Sequence, residues 1–154
     1  MRMLRLALVQ MNATVGDLEG NTLRILDFIQ KAKAQKADLV AFPELAITGY
    51  PPEDLLFKRQ FIQDANTCLR RIVDSTDAIC AIVGVPHLDE GLLYNGAAVA
   101  SNKALIAISH KAHLPTYGVF DEDRYFQPGS ECSLFVINGV SVGVSICEDI
   151  WYEE

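Results

Sequence analysis

The stretch Ala78-Ile79-Cys80-Ala81-Ile82-Val83-Gly84-Val85 has no charged side chain and stops at Pro86. It lacks the alternation of a strand with one wet face, so it reads as a strand buried on both faces, with structure packed above and below. Helices to pack there are legible nearby. Leu23, Leu26, Ile29 and Ala32 recur at helical spacing over residues 21–35, with Lys31, Lys33 and Lys36 near the end that favours cations. Phe61, Ala65, Cys68, Leu69 and Ile72 form a second apolar stripe, with Arg70, Arg71 and Asp74 off it. Further strands are expected over residues 4–10, 38–42, 92–100, 104–109, 133–137 and 140–146. Ser101-Asn102-Lys103 and Asn138-Gly139 read as hairpin connections. The order strand, helix, strand, helix, then mostly strands points to an α/β layered fold. Two helices cannot cover both faces of a sheet of roughly seven strands. The expectation is therefore the first part of a larger domain, broken off at Trp151-Tyr152-Glu153-Glu154.

Composition narrows the function classes. The chain has 154 residues, 50% hydrophobic and 21% charged, enough to bury a core. A net charge of −7 argues against a nucleic-acid surface, which needs clustered cations. No apolar run approaches the roughly 20 residues of a membrane-spanning helix. Met1-Arg2-Met3-Leu4-Arg5 leads into a short apolar stretch broken by Gln10 and Asn12, unlike a secretory signal. A cytoplasmic protein is expected. Cys68, Cys80, Cys132 and Cys147 do not form a disulfide framework, and the first three read as reduced packing thiols.

Three residues at strand ends can do chemistry. Glu44 follows the strand ending at Phe42, Lys111 follows the one ending at Ser109, and Cys147 follows the one ending at Ile146. Sites in open α/β sheets are built at such ends. A carboxylate can deprotonate a thiol, and an ammonium can hold the oxyanion of a tetrahedral intermediate. Spacing alone leaves the bland readings open: a loop carboxylate, a surface cation and a packing thiol. The adjacent acidic pair Glu148-Asp149 should by itself oppose thiolate formation. His110 and His113 could suggest a metal pair, but no third ligand is near, and that reading is rejected.

Three longer stretches carry a resemblance. Ala41-Phe42-Pro43-Glu44-Leu45-Ala46-Ile47-Thr48-Gly49-Tyr50, Lys111-Ala112-His113-Leu114-Pro115-Thr116-Tyr117-Gly118-Val119-Phe120-Asp121-Glu122 and Val144-Ser145-Ile146-Cys147-Glu148-Asp149-Ile150-Trp151 together resemble the nitrilase, or carbon–nitrogen hydrolase, superfamily. Tyr50-Pro51-Pro52-Glu53-Asp54-Leu55-Leu56 and the run from Leu114 to Glu122 look most like the glutaminase domains of glutamine-dependent NAD synthetases. The resemblance implies an α/β fold of the nitrilase-type αββα sandwich, of which residues 1–154 form the N-terminal part only. The rest of that domain and an ATP-dependent synthetase domain would lie outside the chain.

It also implies a triad of Glu44 as base, Lys111 at the oxyanion and Cys147 as nucleophile, acting on the glutamine side-chain amide. The N–H of Glu148 would join the oxyanion site. Glu122 would position Lys111 or the substrate, and Tyr50 and Tyr117 are candidates for the glutamine pocket. The amide step would need no metal or cofactor, ATP and Mg²⁺ belonging to the synthetase domain. A homo-oligomer is implied for the complete protein. Two other readings remain: an amidase or nitrilase acting on another C–N bond, and a non-catalytic truncated fragment.

Overall fold

A computed structural model describes residues 3–131 and 133–152. Its centre is a five-stranded sheet in the order β1 (Leu6–Leu8), β2 (Leu39–Ala41), β3 (Cys80–Asp89), β4 (Leu92–Ser101), β5 (Ala104–His110). The first three strands run parallel, and β3, β4 and β5 form successive antiparallel hairpins. The apolar run singled out in the sequence supplies the first half of β3, the middle strand, with Ala81, Val83 and Val85 almost fully enclosed. The strand continues through Pro86 to Asp89 because Glu90 and Gly91 both take left-handed backbone, which suits a two-residue hairpin turn. Pro86 does not end it, as the sequence had suggested.

Helices α1 (Leu18–Ala34) and α2 (Arg59–Asp74) cover one face of this sheet. On α2 the buried side chains are Ile62, Ala65, Cys68, Leu69, Ile72 and Val73, close to the expected stripe, with Phe61 at its margin. On α1 the stripe differs. Asp17 caps the helix by accepting from Gly20 N at 2.9 Å, so it begins earlier than the periodicity suggested. Asn21 then falls inside the helix, fully buried, its amide bonded to Thr14 and to Ile47 O. Ile25, Ile29 and Ala32 face the core, while Leu23 is 53% exposed.

The expectation of one sheet of about seven strands is corrected. Strands β6 (Leu134–Ile137) and β7 (Val140–Gly143) pair only with each other and form a second layer. Phe135, Ile137 and Val142 pack on the other face of the large sheet, against Leu39, Cys80 and Val99. Leu134 and Val136, the alternate positions of β6, are each 75% exposed on the outer side. Strand β7 also stops at Gly143 rather than at residue 146, and a short 3-10 turn, Cys147–Trp151, follows. Among the described residues no helix is long and apolar enough to cross a membrane.

Gly84 fixes how the chain leaves β2. A Cβ there would lie 2.2 Å from Leu45 N and 2.5 Å from Pro43 O. Only a bare backbone lets Pro43-Glu44-Leu45 cross β3 this closely, and that crossing carries Glu44 toward the end of β5.

Candidate active site

Lys111 follows β5 directly and has no exposed surface. The surface-cation reading of this residue is therefore wrong. Its Nζ donates to Glu44 Oε1 at 2.7 Å and to both oxygens of Glu122 at 2.9 Å. Burial alone would drive the ammonium toward neutrality. Glu44 and Glu122 more than offset that, and the net shift of its pKa is upward. Asn95, from the middle of β4, donates to Glu44 Oε1 at 2.7 Å and lies 3.4 Å from Glu122 Oε2. Tyr50 donates its hydroxyl to Glu122 Oε1 at 2.8 Å. Its pKa is pushed up by burial first and by Glu122 second, so the phenol stays a donor.

Cys147 is brought to the same place. With Glu44 it lines a cleft of about 290 Å³ between the two sheets, beside Pro43, Gly96 and Ser145. Its backbone lies in the left-handed region at φ 49°, a strained conformation for a residue with a side chain. The residue is exposed to the cleft, yet the groups crowding its sulfur push the thiol pKa up. Desolvation contributes most and the charge of Glu44 next, while Lys111 pulls the other way. At neutral pH the sulfur therefore rests as a thiol beside a carboxylate that can take its proton.

The acidic pair after Cys147 behaves differently from the sequence expectation. Asp149 accepts from Ala112 N at 3.0 Å and His113 N at 2.9 Å through Oδ1, and from Ile146 N at 2.9 Å through Oδ2. Its charge thereby ties the turn bearing Cys147 to the loop after Lys111. Glu148 is 8% exposed and accepts from the Tyr117 hydroxyl at 2.9 Å and 3.2 Å. Glu44 and Glu122, rather than this pair, are the carboxylates that raise the thiol pKa.

All seven residues singled out in the sequence thus fall around one site: Glu44, Lys111, Glu122 and Tyr50 in one linked group, and Cys147, Glu148 and Tyr117 at the adjoining turn. Sequence reasoning missed Asn95 and Asp149. Asn95 gave a signal, as an amide inside an otherwise apolar strand. Asp149 gave none, because its partners are backbone N–H groups remote in sequence. His110 turns toward His87, their ring nitrogens 2.8 Å apart, and His113 stacks on Tyr152. Cys68 and Cys80 are buried, and Cys132 lies outside the described residues.

The sequence profile of carbon-nitrogen hydrolases matches residues 5–154. The chain is 40% identical over 153 residues to the glutamine-dependent NAD(+) synthetase of Thermotoga maritima, covering 98% of this chain and 26% of that protein. It is 44% identical over 155 residues to the Aquifex aeolicus protein of the same name, covering 99% and 27%. Among solved structures, glutamine-dependent NAD+ synthetase from Acinetobacter baumannii superposes with a TM-score of 0.91 at 38% identity, over 95% of this chain and 28% of that one. An amidase from Nesterenkonia sp. superposes with a TM-score of 0.84 at 25% identity, over 98% and 58%. The two strand layers and their helices are thus those of the nitrilase fold, and the chain spans about a quarter of the length of the curated relatives it matches.

Proposed function

The chain belongs to the carbon–nitrogen hydrolase family, and we propose that its site hydrolyses the side-chain amide of glutamine and supplies the ammonia for ATP-dependent synthesis of NAD from its deamido precursor. The observation that carries this reading is the buried Lys111 ammonium held between Glu44 and Glu122, at a cleft that also presents the Cys147 thiol. The relatives named as glutamine-dependent synthetases support the choice of amide. In this reading residues 1–154 form part of a glutaminase domain, and the synthetase domain, with its ATP and Mg²⁺, lies elsewhere in a homo-oligomeric protein.

The chemistry balances with the groups in place. Glu44 takes the proton of the Cys147 thiol, and the thiolate attacks the amide carbon. Lys111 and the N–H of Glu148 hold the oxyanion. The amide nitrogen leaves as ammonia with the proton returned by Glu44. A water deprotonated by Glu44 then cleaves the thioester to glutamate and free thiol. Glu122, itself bonded by Tyr50, keeps Lys111 in place, and Tyr50 and Tyr117 are the aromatic candidates for the glutamine pocket.

The test is ammonia release by the natural full-length protein from glutamine, beside asparagine and simple aliphatic amides. A kcat/KM for glutamine well above the others is expected. Equal or better turnover of a simple amide would replace this reading with that of a general amidase.

A further inference from the structure

Glu44 accepts from Lys111 Nζ and from Asn95 Nδ2, each at 2.7 Å, and both bonds end on the same oxygen, Oε1. Two donors engage the lone pairs of that oxygen. Asn95 is itself fully buried, and its backbone O accepts from Lys111 N at 2.8 Å. One residue of β4 therefore holds the main chain of Lys111 and the side chain of Glu44 together. Its own Oδ1 has no hydrogen-bond partner among the described residues. A buried orphan acceptor is destabilising, so an apolar side chain would suit this strand better. The half of the amide that is used is Nδ2, and its closest acceptor is Glu44.

We propose that Asn95 is a positioning residue that decides which oxygen of Glu44 is the base: with Lys111 it occupies Oε1 and leaves Oε2 for the Cys147 proton. This rests on the reading above, in which Glu44 deprotonates Cys147. The titratable groups around Glu44 are Lys111, Glu122, Tyr50 and Cys147. Asn95 is the uncharged member of the cluster, able to orient the carboxylate without adding a charge.

The experiment is a double-variant cycle in the natural full-length protein, with Asn95→Leu, Glu44→Gln and both together. Two rates are read: ammonia release from glutamine, and alkylation of Cys147 by iodoacetamide. Asn95→Leu should lower kcat by about 100-fold, the low end of what a general base contributes. KM should stay within about twofold and the thermal midpoint should hold, because Leu also removes the orphan acceptor. In the Glu44→Gln background the same change should cost little more, since the short bond of Asn95 Nδ2 is to Glu44, while Glu122 Oε2 stands off at 3.4 Å. An equal fold-loss in both backgrounds, or an unchanged kcat, would overturn the proposal. If Asn95→Leu does not fold, the smaller, uncharged Asn95→Ala replaces it in the same cycle, with the same coupling expected. Should the parent release no ammonia from glutamine, the substrate reading fails, and the alkylation cycle alone decides the role of Asn95.

Discussion

Lys111 Nζ stands 2.9 Å from each oxygen of Glu122, so Glu122 is as full a partner of the buried cation as Glu44 is. One ammonium serves two carboxylates in a space closed to solvent on the Lys111 side. Such a group is held by mutual compensation, and removing the cation leaves two anions facing each other.

Lys111→Met should therefore lower stability by roughly 3–5 kcal/mol, the usual result of breaking a buried ion pair from one side. Urea denaturation measures it. Lys111→Arg should fail to restore activity, because a planar guanidinium does not fit a fully enclosed slot shaped for a point charge. A stable, active Arg variant would show the slot to be looser than its geometry implies.

Cys147→Ser should abolish ammonia release from glutamine in the natural full-length protein while ammonia-driven NAD synthesis continues. Cys68→Ala should retain turnover, because Cys68 lies in the core between α1, α2 and the sheet. The two assays, run with glutamine and with ammonium salt, separate a lost nucleophile from a lost fold. Glutamine hydrolysis surviving in Cys147→Ser would remove Cys147 from the mechanism.

Asp149→Ala should lower kcat by at least about tenfold, because it releases the Cys147 turn from the loop after Lys111. Three N–H groups lose a charged acceptor, so the melting temperature should fall as well. Asp149→Asn should recover only part of both, since its amide presents one accepting oxygen where two are used. Full activity in Asp149→Ala would mean that the turn is held by other contacts.

Acidification should destabilise the fold through His87 and His110. Burial lowers both pKa values and His87 further lowers that of His110, while Asp89 opposes the shift on both. The folded state thus favours neutral rings, whereas unfolded histidine titrates near pH 6.5. The stabilisation is complete above that pH and is lost as pH falls through it toward the lower folded values. Melting curves between about pH 7.5 and 5.5 should show a fall that is shallower in His87→Gln. The difference should be a few degrees at most, because both rings are partly open to solvent. Parallel curves for the two proteins would contradict the assignment.

The sequence made the regular elements legible where one physical signal dominated. The uncharged run at residues 78–85 declared a central strand, and the α2 stripe declared its buried face. The α1 stripe misled because a capping aspartate moved the helix start and a buried asparagine took a core position. Strands β6 and β7 were visible as a hairpin through Asn138-Gly139, but alternation alone does not say which sheet a hairpin joins. At the site, Lys111 and Glu44 were legible just past strand ends, whereas Cys147 sits in a turn beyond the end of β7 at Gly143 and was legible by family resemblance. Asp149 was read by its charge, when its partners are what matter.

The order of the site along the chain has a consequence for synthesis. Glu44, Asn95, Lys111 and Glu122 all precede Cys147, and Asp149, which fastens the turn, follows it. A chain made from its N-terminus exposes the carboxylates and the ammonium first and delivers the sulfur last. Until the second strand layer docks on the first, Cys147 has no base beside it and reacts as an ordinary thiol. Because the folded site raises the thiol pKa, the completed cleft activates Cys147 by placing a base beside it rather than by holding it as a thiolate.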